Sequence, residues 1–225
     1  MRVLLMVLSL VLGSLALAGA AELLAEGRFD QAYEAALAEG DYVLAARAAS
    51  YYAMYQAEGR REKEAWFQRA REAAERAIAE DPKNPEAYFE LARALGRLAQ
   101  YRGVLESLSL AQAVRENLER ALELRPDYAS ALVALAVWNL ELAKKGVGWL
   151  YGASTKRVLP LFERALELEP QGIIHRYEYA RALLRLGRKE EAKRELRALL
   201  TLPPKDARDR YVLEEAQNLL EELGE

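Results

Sequence analysis

The sequence predicts an all-α solenoid of stacked helical hairpins, and three observations carry that prediction. One phrase returns three times, as ERAIAEDP at Glu75 to Pro82, ERALELRP at Glu119 to Pro126 and ERALELEP at Glu163 to Pro170. The intervals between the closing prolines are 44, 44 and then 34 residues, the last ending at Pro204, and self-similarity at such a period marks a repeat architecture. Beyond residue 21, helix formers dominate and apolar residues recur every three or four positions, as amphipathic helices require.

The elements follow in order. Met1-Arg2 gives a short positive start, Val3 to Leu17 is almost wholly apolar, and Ala18-Gly19-Ala20 presents small residues where a signal peptidase reads. Residues 1–20 are therefore expected to be a signal peptide cleaved after Ala20, and 21–225 a single solenoid domain with repeats ending near 82, 126, 170 and 204. The alternative is an uncleaved membrane anchor, because the apolar run approaches the roughly 20 residues that span a bilayer. Gly27 to Ala32 reads as the turn and second-helix start of a degenerate first repeat; Tyr42 to Gln56 and Glu62 to Glu80 form the next pair. Asn84-Pro85 is an N-cap followed by proline at the first helical position. Arg102-Gly103-Val104 aligns with the Gly146-Val147 step, so the ten additional residues of both longer units are expected in an enlarged turn between paired helices. The final unit runs from Ile173 to Pro204, and Ala207 to Leu223 closes the chain as a capping helix.

Composition narrows the function. With 52% hydrophobic residues, a chain of 225 can build a core. The 32 basic and 35 acidic residues leave a formal charge of -3, so no overall field recruits nucleic acid or anionic lipid, and any basic surface must be local. Cysteine is absent, which removes disulfides, thiolate metal sites and a lipid-modified N-terminal cysteine.

The last unit carries a resemblance. Tyr179, Ala180 and Leu183 on one helix, Gly187 at the turn, Ala192, Leu196 and Leu199 on the next, and Pro204 follow the sparse pattern of the tetratricopeptide repeat. Arg176 and Tyr179 depart from its usual Trp and Leu. Leu132, Leu135, Ala136, Phe162, Ala165 and Pro170 repeat the pattern, as do Tyr88, Leu91, Ala92, Leu118, Ala121 and Pro126. More narrowly, the last third of the chain, through Trp149 to Pro170 and the tail Leu202-Pro203-Pro204-Lys205-Asp206, is similar to the C-terminal half of regulator-of-microtubule-dynamics proteins. A second similarity is to the helical-repeat component of tripartite periplasmic transporters, which is commonly anchored through a cysteine that this chain lacks.

A search for chemistry yields little. His175 is the sole histidine, and its place near a helix start reads as a surface or cap residue. KKGVGWLYG at Lys144 to Gly152 lacks the spacing and the preceding strand of a phosphate loop. No concentrated set of titratable groups points to an enzyme, a metal or a cofactor. The resemblance implies a concave groove read by particular first-helix positions, here Phe89, Arg93 and Arg97, then Val133 and Val137, then Tyr177, Arg181 and Arg185. Co-chaperones of that family clamp a carboxylate with Lys and Asn at two of these positions; Phe89 and Arg93, or Val133 and Val137, stand there instead. An acidic peptide suits the basic flanks. The inserted segments offer a second surface, an apolar lip of Leu105, Leu108, Trp149, Leu150 and Tyr151 that is either mutually buried or exposed for self-association or ligand cover.

The expectation is thus a non-enzymatic, periplasmic or secreted module that binds a protein or peptide partner in a bacterial envelope, with no nucleic acid and no stable membrane insertion once the leader is removed. The alternative is a ligand-binding subunit beside an envelope transporter.

Overall fold

Twelve α-helices make up the described part of the computed structural model, which covers residues 18–224. Residues 1–17 and 225 lie outside the described residues, as do the side chains at 104 and 105; the expected leader and the Leu105 part of the lip fall there. Among the described residues there is no strand.

The helices are α1 (Ala20–Glu26), α2 (Phe29–Glu39), α3 (Tyr42–Tyr55), α4 (Gly59–Glu80), α5 (Pro85–Leu98), α6 (Val104–Leu124), α7 (Ala129–Lys144), α8 (Gly148–Tyr151), α9 (Val158–Leu168), α10 (Ile173–Arg185), α11 (Lys189–Leu200) and α12 (Ala207–Glu222). Their ends follow local chemistry. Asn84 Oδ1 accepts from the Glu86 N–H at 2.9 Å ahead of Pro85, Asp41 accepts from Leu44 at 2.9 Å, and Asp206 accepts from Asp209 at 2.8 Å; each satisfies a donor that the first turn leaves free. Helices α4, α6 and α9 stop just before Pro82, Pro126 and Pro170, which lack the N–H that another turn needs.

Successive helices pack as antiparallel hairpins, and alternate helices line one inner wall: α3 meets α5, α5 meets α7, α7 meets α10 and α10 meets α12. The core is dense in alanine where helices cross, with Ala45, Ala49, Ala70, Ala74, Ala94, Ala131 and Ala180 fully buried. Small side chains allow backbones to approach closely, while Phe29, Phe162, Leu118, Leu183 and Leu196 fill the remaining space.

The two 44-residue units spend their additional residues differently. In the first, a single 3-10 turn at Ala99–Tyr101 leads into the 21-residue α6, so the insertion has become a longer second helix. In the second, α7 and the 11-residue α9 are separated by α8 and the 3-10 turn Thr155–Arg157, which is the enlarged turn expected for both. The sequence holds the reason. After Gly103 no glycine or proline interrupts the run to Leu124, whereas Gly146 and Gly152 have φ of 75° and 65° and break the helical path.

The ends of the array meet. Helix α12 returns to α1 and α3: Tyr211 stacks on Tyr55 at 4.9 Å between ring centroids, and its ring centroid lies 6.2 Å from that of Phe29. Gln56 Nε2 donates to the Gly27 carbonyl at 2.7 Å and to Tyr211 Oη at 3.3 Å. Gly27 is required at the seam, since it adopts φ +89° and an added Cβ would stand 2.8 Å from the Ala207 methyl. Ala20 opens α1, is fully buried, and donates its N–H to Glu39 Oε1 at 3.0 Å.

Candidate functional site

The returning helix turns the inner wall into a pocket of about 460 Å³. Arg47 and Tyr51 enter from α3, Phe89 and Arg93 from α5, and Arg208 from α12; Arg125 and Tyr128 come from the turn before α7. Four guanidiniums therefore reach one volume from four separate chain segments.

Beneath them lies Glu90, fully buried and held by two arginines: Arg47 Nε at 2.9 Å and Arg93 Nη1 at 2.9 Å. Glu86 takes Arg47 Nη2 at 2.8 Å and Arg125 Nη1 at 3.4 Å. Burial pushes the Glu86 carboxyl upward, but the hydrogen bonds and charges of Arg47 and Arg125 outweigh it and hold the group below the usual carboxylate range. Burial penalises the Arg47 cation, and the Glu90 and Glu86 carboxylates reverse that penalty and raise its affinity for the proton. Aromatic faces complete the wall: Arg125 lies 3.7 Å from the Tyr128 centroid and Arg93 lies 4.7 Å from that of Phe89. Arg208 donates from Nη1 to Tyr51 Oη at 2.9 Å, and burial pushes the Tyr128 phenol upward.

Donor capacity remains. Arg125 Nε and Arg208 Nε are buried and make no hydrogen bond within the protein, whereas Arg93 Nη1 is taken by Glu90 Oε2 at 2.9 Å. Ser50 Oγ and His175 Nδ1 are the other buried side-chain atoms without a hydrogen-bond partner once Glu90 Oε2 is matched with Arg93. Carboxylates at the mouth do not cancel this excess, because Asp127 and Glu169 are exposed and Asp206 caps α12. An acceptor-rich group would satisfy what the protein leaves open.

His175 borders this region and is buried, 3% exposed, which corrects its expected place at the surface. Its Nε2 lies 3.1 Å from Ser130 Oγ, and its Nδ1 lies 3.5 Å from Glu169 Oε2. Burial and the Arg208 charge lower its pKa to about 4; Glu169 is half-exposed and screened by water.

The expected groove residues divide. Phe89 and Arg93 line the pocket. Phe89, Val133 and Tyr177 are buried to 6%, 6% and 7% exposure, so no open apolar groove floor is present among the described residues. Val133 and the half-buried Val137 pack with Phe162, and Tyr177 packs with Leu183 and Val212. Arg181 is exposed and pairs with Glu178 at 3.2 Å, Arg185 pairs with Glu141, and Arg97 is half-buried away from the pocket. Packing explains the difference: α12 covers Tyr177 through Val212, while Val133 is buried against Phe162 of its own hairpin.

Sequence reasoning passed over Arg47, Arg125 and Arg208. Arg47 had a signal, being the single charge in α3. Arg125 had another: it stands where the sister phrases carry Asp81 and Glu169. Arg208 had none, because only closure brings it to α3.

The lip also divides. Leu108 and Tyr151 are partly buried, with Tyr151 packed against the same core cluster as Leu110 and Val147, while Trp149 and Leu150 are 80% and 55% exposed. Among the described residues there is no cluster of metal-ligating side chains and no helix long and apolar enough to cross a membrane.

Hairpins of helices stacked around a lined inner wall define a tetratricopeptide-like solenoid. A solved tetratricopeptide protein from Thermus thermophilus has the same arrangement, with a TM-score of 0.54, 20% identity, and coverage of 85% of this chain and 98% of that one. The family model for regulator of microtubule dynamics protein 1-3 matches residues 17–224, and the chain belongs to that family. The kinship thus extends far beyond the last third in which the sequence displayed it. Regulator of microtubule dynamics protein 3 from Bos taurus is 25% identical over 177 residues, and that from Xenopus laevis is 28% identical over 94; these alignments cover 73% and 42% of this chain. They span only 37% and 20% of the relatives' own lengths.

Proposed function

We propose that this chain is a binding module whose inner pocket receives an acidic group of a protein partner, a glutamate-rich segment or a terminal carboxylate. The observation that carries the reading is the pair of buried, unpartnered donors of Arg125 and Arg208 around one volume. The aromatic faces of Tyr51, Phe89 and Tyr128 would flank it. Its place would be an envelope compartment reached through the N-terminal apolar segment. The microtubule role in the relatives' name belongs to longer proteins and is not needed for this chemistry.

The pocket volume favours a second reading, because about 460 Å³ lies within the range that encloses small ligands. A small carboxylate could fill the same donors as a subunit's ligand.

The test is fluorescence anisotropy with a labelled peptide ending in glutamates. Arg125→Ala and Arg208→Ala should each weaken binding on the order of tenfold while helical content is retained; undiminished binding would refute the pocket as the site. Arg93 is a poor choice for this test, since it neutralises buried Glu90. Native mass spectrometry of the purified protein separates the readings: a retained small acid favours the second. Intact mass after expression in a secreting host tests cleavage after Ala20.

A further inference from the structure

We propose that the α8 turn is a membrane-surface contact that docks on anionic lipid through Trp149 and Leu150, with four cations in the chain segments on either side of the pair. Among the described residues, Trp149 and Leu150 are the exposed large hydrophobics, and they are adjacent. Between Glu141 and Glu163 the chain has no acidic residue but carries Lys144, Lys145, Lys156 and Arg157. All four are exposed and none forms an ion pair among the described residues, on a chain whose overall charge is -3. Arginines across the rest of the surface are widely paired, as Arg71 with Glu75 and Arg164 with Glu167. The combination is therefore local to this turn.

The pair projects from a fixed base. Gly148 admits the close approach of the Ala153 carbonyl, which would lie 2.8 Å from an added Cβ. Asn139, 1% exposed, accepts from the Ser154 N–H at 3.0 Å and donates to the Leu135 carbonyl at 2.9 Å. Arg115 Nη1 donates to the Tyr151 carbonyl at 2.8 Å. Val147 and Tyr151 are partly buried against the main core cluster, which includes Val114 and Leu118 of α6, so the same turn that tucks two apolar side chains inward holds the other two out.

Tryptophan suits the interface between headgroup and acyl chain, with its ring apolar and its N–H polar. Apolar contact or charge alone gives weak adsorption, and two signals together give useful affinity. The charge selects anionic lipid as the occupant, because the unpaired cations would repel the same turn of a second copy. The contact is with a surface and involves no spanning helix.

The absence of cysteine makes the test site-specific. Leu150→Cys in the full chain, labelled with a polarity-sensitive dye, is mixed with phosphatidylcholine vesicles with and without phosphatidylglycerol. The expected result is a blue shift on the anionic vesicles that salt reverses. Lys156→Glu with Arg157→Glu should lower partition at least about twentyfold, from roughly fivefold per charge removed, with unchanged circular dichroism. Lys144→Glu with Lys145→Glu is the second variant should the first fold poorly. A shift insensitive to both variants and equal on neutral vesicles would assign adsorption to the N-terminal apolar segment and overturn the proposal. So would a concentration-dependent shift without vesicles, which would assign the pair to a second copy, and so would no shift at all.

Discussion

His175 should make the protein lose stability in mild acid, and the effect is separable because the chain has one histidine. Folding lowers its pKa from 6.5 to about 4 through burial and Arg208. Below about pH 6.5 the unfolded chain binds a proton that the folded chain refuses until about pH 4. The unfolded state therefore gains as pH falls through that window, and the contribution of His175 to stability is fully present above it. At about 1.4 kcal/mol per pKa unit, the full loss is ~3 kcal/mol, and near pH 5 it is about 2 kcal/mol. The assay is urea unfolding followed by circular dichroism at several pH values, with His175→Gln measured in parallel. Glutamine keeps a partner for Ser130 Oγ but does not titrate. The wild-type curve should steepen relative to the variant between about pH 6.5 and 4. Parallel curves would refute the reasoning, by showing that the ring stays hydrated or that Glu169 compensates its charge.

Two further predictions concern the frame around the pocket. Glu90→Gln leaves Arg47 and Arg93 facing a neutral amide inside the protein, and should cost about 3 kcal/mol in urea unfolding at neutral pH; an unchanged midpoint would show that water already screens the triad. Gly27→Ala combines an unfavourable φ with a close contact on Ala207 and should destabilise the seam by about 1–3 kcal/mol. Amide exchange in α12 should then accelerate while α5 and α6 remain protected, and uniform exchange would refute a local seam.

Much of the helical framework was legible in the sequence because it rests on local chemistry. The period of apolar residues, the Asn84-Pro85 start and the repeated ERAL phrases act over a few residues, and those forces are the same in any context. Even the unequal use of the ten additional residues had a local cause in the glycines near Gly146 and Gly152, though matching the units by their prolines concealed it. Family membership was partly visible, through the spacing of residues in the final unit.

The site was less legible. Phe89 and Arg93 face inward because of their helix register, and register can be read from sequence. Whether the inner wall is open or covered depends on the small rotation added at each hairpin, summed over the whole array. No single residue sets that sum, so the sequence alone could not place Arg208 against Tyr51 or bury Tyr177. The same sum put His175 in the interior, where a position near a helix start had suggested the surface. The sequence by itself determined the helices, their pairing and their polarity. The tertiary structure decided that the last helix returns to the first, because closure is a long-range consequence of packing and only closure gathers four arginines around one volume.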